Sequence, residues 1–210
     1  MATEGMGIRT WVRGERLSNG QRLALAAVLV ALGVALSAFS IPVGPARVFP
    51  FQHTINVVAG VLLGPGYAVL TAFGISVIRN GLGTGTFLAF PGSMFGAFLV
   101  GWAYHYVRRT DLAAFVEPVG TALIGGLVGY LLILPVAEPI RLLGFVALNP
   151  ASPQPYLGVF GGALALIVSF AVSSVPGCAL GFLVLKALRT AGVGLSPRGT
   201  EDQGPPPTLA

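Results

Sequence analysis

The stretch VFPFQHTINVVAGVLLGPGYAVLTAFGISVI, residues 48–78, contains no Asp, Glu, Lys or Arg. It is too long for one bilayer crossing, since about 20 apolar residues span ~30 Å of hydrocarbon. Gly64-Pro65-Gly66 divides it, because proline after glycine ends one helix and can start the next. The stretch therefore reads as two antiparallel membrane helices, each of roughly 14 residues or about 21 Å. Short, interrupted spans are where membrane proteins tend to build sites.

Composition extends that reading to the whole chain. Its 210 residues are 54% hydrophobic and 9% charged, with a mean hydropathy of +0.83, whereas a soluble domain is nearer a quarter charged. The fold class is an all-α integral membrane protein of six transmembrane helices, of which helices 2 and 3 are the short pair above. The first helix runs from Leu23 to near Ser40, closed by Pro42 and Pro45. A cleavable leader is its rival, since Arg22 precedes an apolar core and small residues follow from Ala35 to Ala38; the membrane-like chain downstream favours a span. The fourth helix is predicted from Gly92 to Val107 and the fifth from Pro118 to Leu134. The sixth runs from Tyr156 to about Arg189, kinked at Pro176-Gly177, with Lys186 and Arg189 snorkelling into the headgroups.

Residues 135–155 carry Pro135, Pro139, Pro150, Pro153 and Pro155 and read as loop, although IRLLGFVAL within them could lie along the interface. The division is a cytoplasmic segment over residues 1–21, a membrane domain over 22–190 and a Pro/Gly-rich disordered cytoplasmic tail over 191–210. The single Cys178 lies in an apolar run and argues no disulfide framework.

The net charge of +5 might suggest nucleic acid, but the basic residues stand at the ends of apolar runs and form no patch. Of the 12 Lys and Arg residues, only Arg47, Arg79 and Arg141 fall on one side of a six-helix layout. The remainder cluster with both termini, which places the termini in the cytoplasm of a cell-membrane protein.

That orientation puts RNGLGTGTFLAFPGS, residues 79–93, on the outer side between helices 3 and 4. Non-helical backbone at membrane depth is tolerated only where it is buried in protein or lines a polar cavity. Arg79, Asn80, Thr84, Thr86, Phe90 and Ser93 supply a guanidinium, an amide, hydroxyls and an aromatic face, and the glycines leave backbone donors accessible. Such an inventory suits a small-molecule pocket; an external turn anchored by Arg79 is the plainer alternative. On the same side, PFQHTIN places Gln52, His53 and Asn56 on one helical face. Tyr130 and Glu138 are further candidate contacts, against interface anchoring for Tyr130 and a pair with Arg141 for Glu138. Glu117 reads as a carboxylate at the positive end of the fifth helix, a capping role, with a coupling role as the alternative.

Nothing in the sequence resembles a catalytic centre. It has no Ser-His-Asp order, no paired carboxylates on one face, no Cys/His metal set and no GxxxxGK[ST] loop. Without a nucleotide site the chain cannot power transport alone. In the first helix, Ala27, Ala31 and Ala35 recur every fourth residue. Small residues at that spacing let a second helix approach closely in lipid, whether from a partner or from the same chain.

The alanine stripe, PFQHTINVVAGVLLGPGYA and RNGLGTGTFLAFPGSMFGA together resemble the substrate-capture (S) subunits of energy-coupling-factor (ECF) transporters, most closely the ThiW family, over Arg22 to Arg189. The resemblance implies a six-helix protein that binds a vitamin precursor, hydroxyethylthiazole, from outside. It implies docking through Ala27, Ala31 and Ala35 onto a transmembrane coupling subunit driven by two ATPase subunits, which use the ATP; the chain itself needs no cofactor or metal. Carried to this sequence, the pocket would fall on Arg79, Asn80, Thr84, Thr86, Phe90 and Ser93, with His53 and Asn56. The alternatives are a self-contained secondary transporter of a small heterocycle and a membrane-embedded enzyme; the shortage of intramembrane acids and histidines disfavours the enzyme.

Overall fold

The computed structural model describes residues 17–43, 46–133 and 158–193, which form a helical bundle with one small hairpin. Helix α1, Asn19–Leu36, begins earlier than its charge-free run because Ser18 and Gln21 form a reciprocal capping box. The Ser18 amide donates to Gln21 Oε1 at 2.9 Å and the Gln21 amide to Ser18 Oγ at 3.3 Å, so two otherwise orphaned donors are satisfied. An antiparallel hairpin follows, β1 (Ile41–Val43) paired with β2 (Ala46–Val48) in the register Ile41 to Val48.

Helices α2 (Pro50–Leu63) and α3 (Pro65–Gly81) each carry proline in the first turn and are separated by Gly64 alone. Gly64 has φ 84°, a left-handed conformation that a side chain would strain. The division expected from Gly64-Pro65-Gly66 is the one observed. Helix α4, Ala89–Trp102, continues through a wide π-type turn, Ala103–Val107. It starts at Ala89 and not Gly92, because the Ala89 amide already bonds Thr86 O at 3.0 Å. Helix α5 occupies Asp111–Ile133. It opens as a 3-10 segment, Asp111–Val116, capped by the Thr110 hydroxyl, and widens into π-type turns at Val119–Gly125 and Gly129–Ile133. Helix α6, Gly158–Thr190, is a single element with Pro176 inside it.

Close approaches at glycine fix how these helices run. Gly60 lies against Val100 and Gly101, so α2 and α4 run side by side in the same sense, as the Gln52–Ser93 contact nearer their starts requires. Gly125 against Gly92 and Gly120 against Phe95 set α5 opposite to α4. Gly177 against Pro50 and Gly181 against Val57 align α6 with α2, and Gly74 against Val30 with Gly33 against Ile75 aligns α3 with α1. The helices thus alternate in direction, which brings the start of α1 and the end of α6 to the same end of the bundle.

Two apolar clusters hold the bundle together, and α2 belongs to both. One joins Ala26 and Leu29 of α1 with Ile55, Val58 and Ala59 of α2 and Ala72 and Ile75 of α3. The other joins Val57 and Val61 of α2 with Val100, Tyr104, Ala114, Cys178 and Leu185. At the far end of the second cluster Arg189 grips Asp111, Nε reaching Oδ1 and Oδ2 at 2.9 and 2.8 Å, and donates to Tyr104 OH at 3.1 Å. That ties the end of α6 to the start of α5 and the end of α4. Among the described residues, Asn19–Leu36, Asp111–Ile133 and Ala163–Thr190 are long and apolar enough to cross a membrane.

Candidate functional site

Among the described residues, most of the buried polar side chains gather where the starts of α2 and α4 meet the end of α3, the middle of α6 and α5. They form two layers. In the outer layer Arg79, 2% exposed, donates to the Gln52 side-chain oxygen, and Gln52 in turn donates to Ser93. The second terminal nitrogen of Arg79 reaches Thr84 O at 3.0 Å, and its guanidinium lies 4.1 Å from the Phe49 ring centroid, a cation–π contact. The Phe49 amide donates to Ser173 Oγ at 2.8 Å, which joins α6 to the segment just after the hairpin.

The inner layer centres on Glu117, which is fully buried. Its Oε1 accepts from Thr121 Oγ1 at 2.6 Å and from Asn56 Nδ2 at 3.1 Å, and faces His53 Nδ1 at 2.8 Å. Gly96 makes room for this carboxylate: a β-carbon there would lie 2.6 Å from Glu117 Oε1. The expected capping role of Glu117 does not hold, because α5 begins at Asp111 and Thr110 caps it. An acid about a turn and a half inside an otherwise apolar helix is the sequence signal that could have pointed to Glu117; the neighbouring Pro118 equally suits a helix start.

The 79–93 loop works differently from its sequence reading. Its backbone donors are turned onto its own chain: the Thr84 and Gly85 amides both bond Arg79 O at 2.9 Å, and the Gly83 amide bonds Asn80 O at 3.0 Å. Asn80 Nδ2 donates to Ser76 O and Thr86 O, and the exposed Thr84 donates its hydroxyl to Arg79 O. The loop is a clamp that holds Arg79 in place. Phe90 packs with Phe73 and Phe87, centroids 5.6 and 6.0 Å away; Phe49 is the ring beside Arg79.

The structure therefore brings together His53, Asn56, Arg79 and Ser93 of the expected residues and adds Gln52, Phe49, Glu117, Thr121 and Ser173. Asn80, Thr84 and Thr86 lie in the clamp, and Tyr130 is half-buried further along α5. Glu138 lies outside the described residues, as does the 135–155 loop beyond them. Ala27, Ala31 and Ala35 are exposed on α1, on the face away from the buried Ala26, Leu29 and Gly33. No group of His, Cys, Asp and Glu suited to a metal ion occurs among the described residues.

A family described as thiamine-precursor transporter protein (ThiW) matches residues 23–191. The chain belongs to the ThiW family. It is accordingly a membrane transporter protein and not an enzyme. The crystal structure of the S-component for biotin from an ECF-type ABC transporter is similar to this ThiW chain, with a TM-score of 0.53, 19% sequence identity, and coverage of 87% of this chain and 100% of that one. At that identity the likeness is one of fold. A search of curated proteins finds no match.

Proposed function

We propose that this ThiW chain is the substrate-binding subunit of an ATP-driven ECF-type importer of the cell membrane, that it binds hydroxyethylthiazole for thiamine salvage, and that it leaves ATP hydrolysis to two partner ATPase subunits. The observation that carries the reading is the buried polar double layer around Gln52, Arg79 and Glu117 in a bundle otherwise packed with apolar side chains. Polar and ionisable groups at membrane depth are costly and mark function. Family membership and the S-component fold support the same reading. The ring of the substrate would lie at the outer layer, near Phe49 and Arg79, and the exposed stripe Ala27, Ala31 and Ala35 would meet the coupling subunit.

Purified chain should bind hydroxyethylthiazole in calorimetry with no partner present, since both layers are built from this chain alone. Failure to bind thiazole, thiamine or the pyrimidine half of thiamine would remove the substrate assignment. Arg79→Lys should weaken binding by about 1–3 kcal/mol, because an ammonium cannot reach Gln52 and Thr84 O together while stacking on Phe49.

The reading also fixes a topology, with both termini in the cytoplasm and six crossings. A cysteine placed at Thr84 should react with an impermeant thiol reagent added to intact cells, and one at Thr110 should not. The native Cys178 is buried and gives little background. Labelling at Thr110 would reverse the orientation.

A further inference from the structure

The geometry points to a directional site: Glu117 Oε2 and Asn56 Oδ1 form an acceptor pair that takes the hydrogen-bond-donating end of the ligand, an uncharged alcohol, so the chain binds the free alcohol and not its phosphate monoester. The proposal rests on the reading that the polar double layer holds the substrate.

Glu117 and Asn56 are 0% and 1% exposed, and each keeps one buried oxygen with no hydrogen-bond partner among the described residues. The two groups touch, Asn56 Nδ2 to Glu117 Oε1 at 3.1 Å, so the two unmatched oxygens sit on neighbouring side chains of one layer. The neighbours able to donate there, His53 Nδ1, Asn56 Nδ2 and Thr121 Oγ1, converge on Oε1. Glu117 and Asn56 thus have only lone pairs left to offer, and among the described residues the other buried unpartnered groups are Arg79 Nε and the Ser174 hydroxyl, which can donate or accept. A buried acceptor without a donor costs free energy that an arriving O–H recovers.

The outer layer has the opposite character. Arg79 Nε is buried and has no partner among the described residues, so a donor is left over there. Gln52, which holds Arg79, and Asn56, which holds Glu117, are four residues apart on α2, one helical turn or about 5–6 Å. From outside inward the site thus presents a donor and then two acceptors, in layers whose anchoring residues on α2 are one turn apart. A small heterocycle with an accepting ring nitrogen and a short arm ending in a hydroxyl matches that order. A phosphate on the same arm carries mainly acceptor oxygens and would meet acceptors.

The test is calorimetry on the purified full-length chain with three probes: hydroxyethylthiazole, its deoxy analogue lacking the hydroxyl, and its phosphate monoester. Both altered probes should bind the wild-type chain at least about tenfold more weakly than the alcohol. Glu117→Gln should lower the affinity for the alcohol by about ten- to a hundredfold and leave that for the deoxy analogue within about threefold. A wild-type chain that binds the phosphate or the deoxy analogue as tightly as the alcohol overturns the proposal, and so does a Glu117→Gln chain that loses both ligands equally. Should that variant fail to fold, the wild-type series decides by itself. No binding of any probe to the wild-type chain is a failure of the underlying reading, and takes the proposal with it.

Discussion

Uptake of hydroxyethylthiazole is expected to fall to background when Ala31 is replaced by tryptophan, while the purified chain still binds its ligand. Ala31 is exposed, between Ala27 and Ala35, and none of the three packs into the α1–α2–α3 cluster, which uses Ala26 and Leu29. An indole there should leave the fold alone. It would hold a partner helix several ångströms away, and helix association in lipid relies on van der Waals contact with no hydrophobic drive to make up for a gap. Co-purification with the coupling subunit and ATPases is the direct measurement, with uptake as the second. Loss of ligand binding in Ala31→Trp would show that the stripe serves the chain's own fold. Uptake by wild-type chain in cells lacking any ATPase partner would favour the secondary transporter.

The other large effect is expected at Gly120. A β-carbon there would lie 2.6 Å from Phe95 C and 2.7 Å from Gly96 Cα, and main-chain atoms in a helix cannot step aside as a side chain can. Gly120→Val would force α4 and α5 apart at the level of Glu117 and Thr121. Overpacking of this kind costs about 1–3 kcal/mol or more, and here it also opens the hydrogen bonds that hold the carboxylate. Ligand binding should be undetectable and the thermal midpoint in detergent clearly lowered. Gly66→Ala is the matched control: nothing lies within 4 Å of a β-carbon at Gly66, so it should behave as wild type. A Gly120→Val chain with normal affinity would mean that α4 and α5 do not need this close approach.

The helical, membrane-embedded character was legible in the sequence because it depends on local signals. Charge-free runs locate apolar helices, and Gly64-Pro65 locates a break that any chain with those residues must make. Helix starts were less legible wherever a polar residue, and not a charge boundary, does the work: Ser18 and Gln21 begin α1, and Thr110 begins α5 well before Pro118. The site was legible in part. His53, Asn56, Arg79 and Ser93 stood out as polar residues in apolar runs, and all four are buried within the two polar layers. Glu117 was misjudged because its partners His53 and Asn56 lie some sixty residues earlier in the chain, and a pairing across that separation leaves no periodic trace. The loop at 79–93 showed the right residues but not the direction of their hydrogen bonds, since a glycine-rich turn can offer its amides outward or close them on its own carbonyls.

Among the described residues no hydrogen bond joins helix α1 to either polar layer, and its buried contacts with α2 and α3 are apolar. What the chain would carry and what it would dock to are therefore written on separate helices. On the proposed reading, a substitution at Gln52 or Glu117 would alter ligand preference without disturbing the outward alanines, and one at Ala27 or Ala35 would alter the choice of partner without disturbing the carboxylate. Such a scaffold can diverge toward new cargo while keeping its place on a common engine, one mutation at a time and with no intermediate that has lost both.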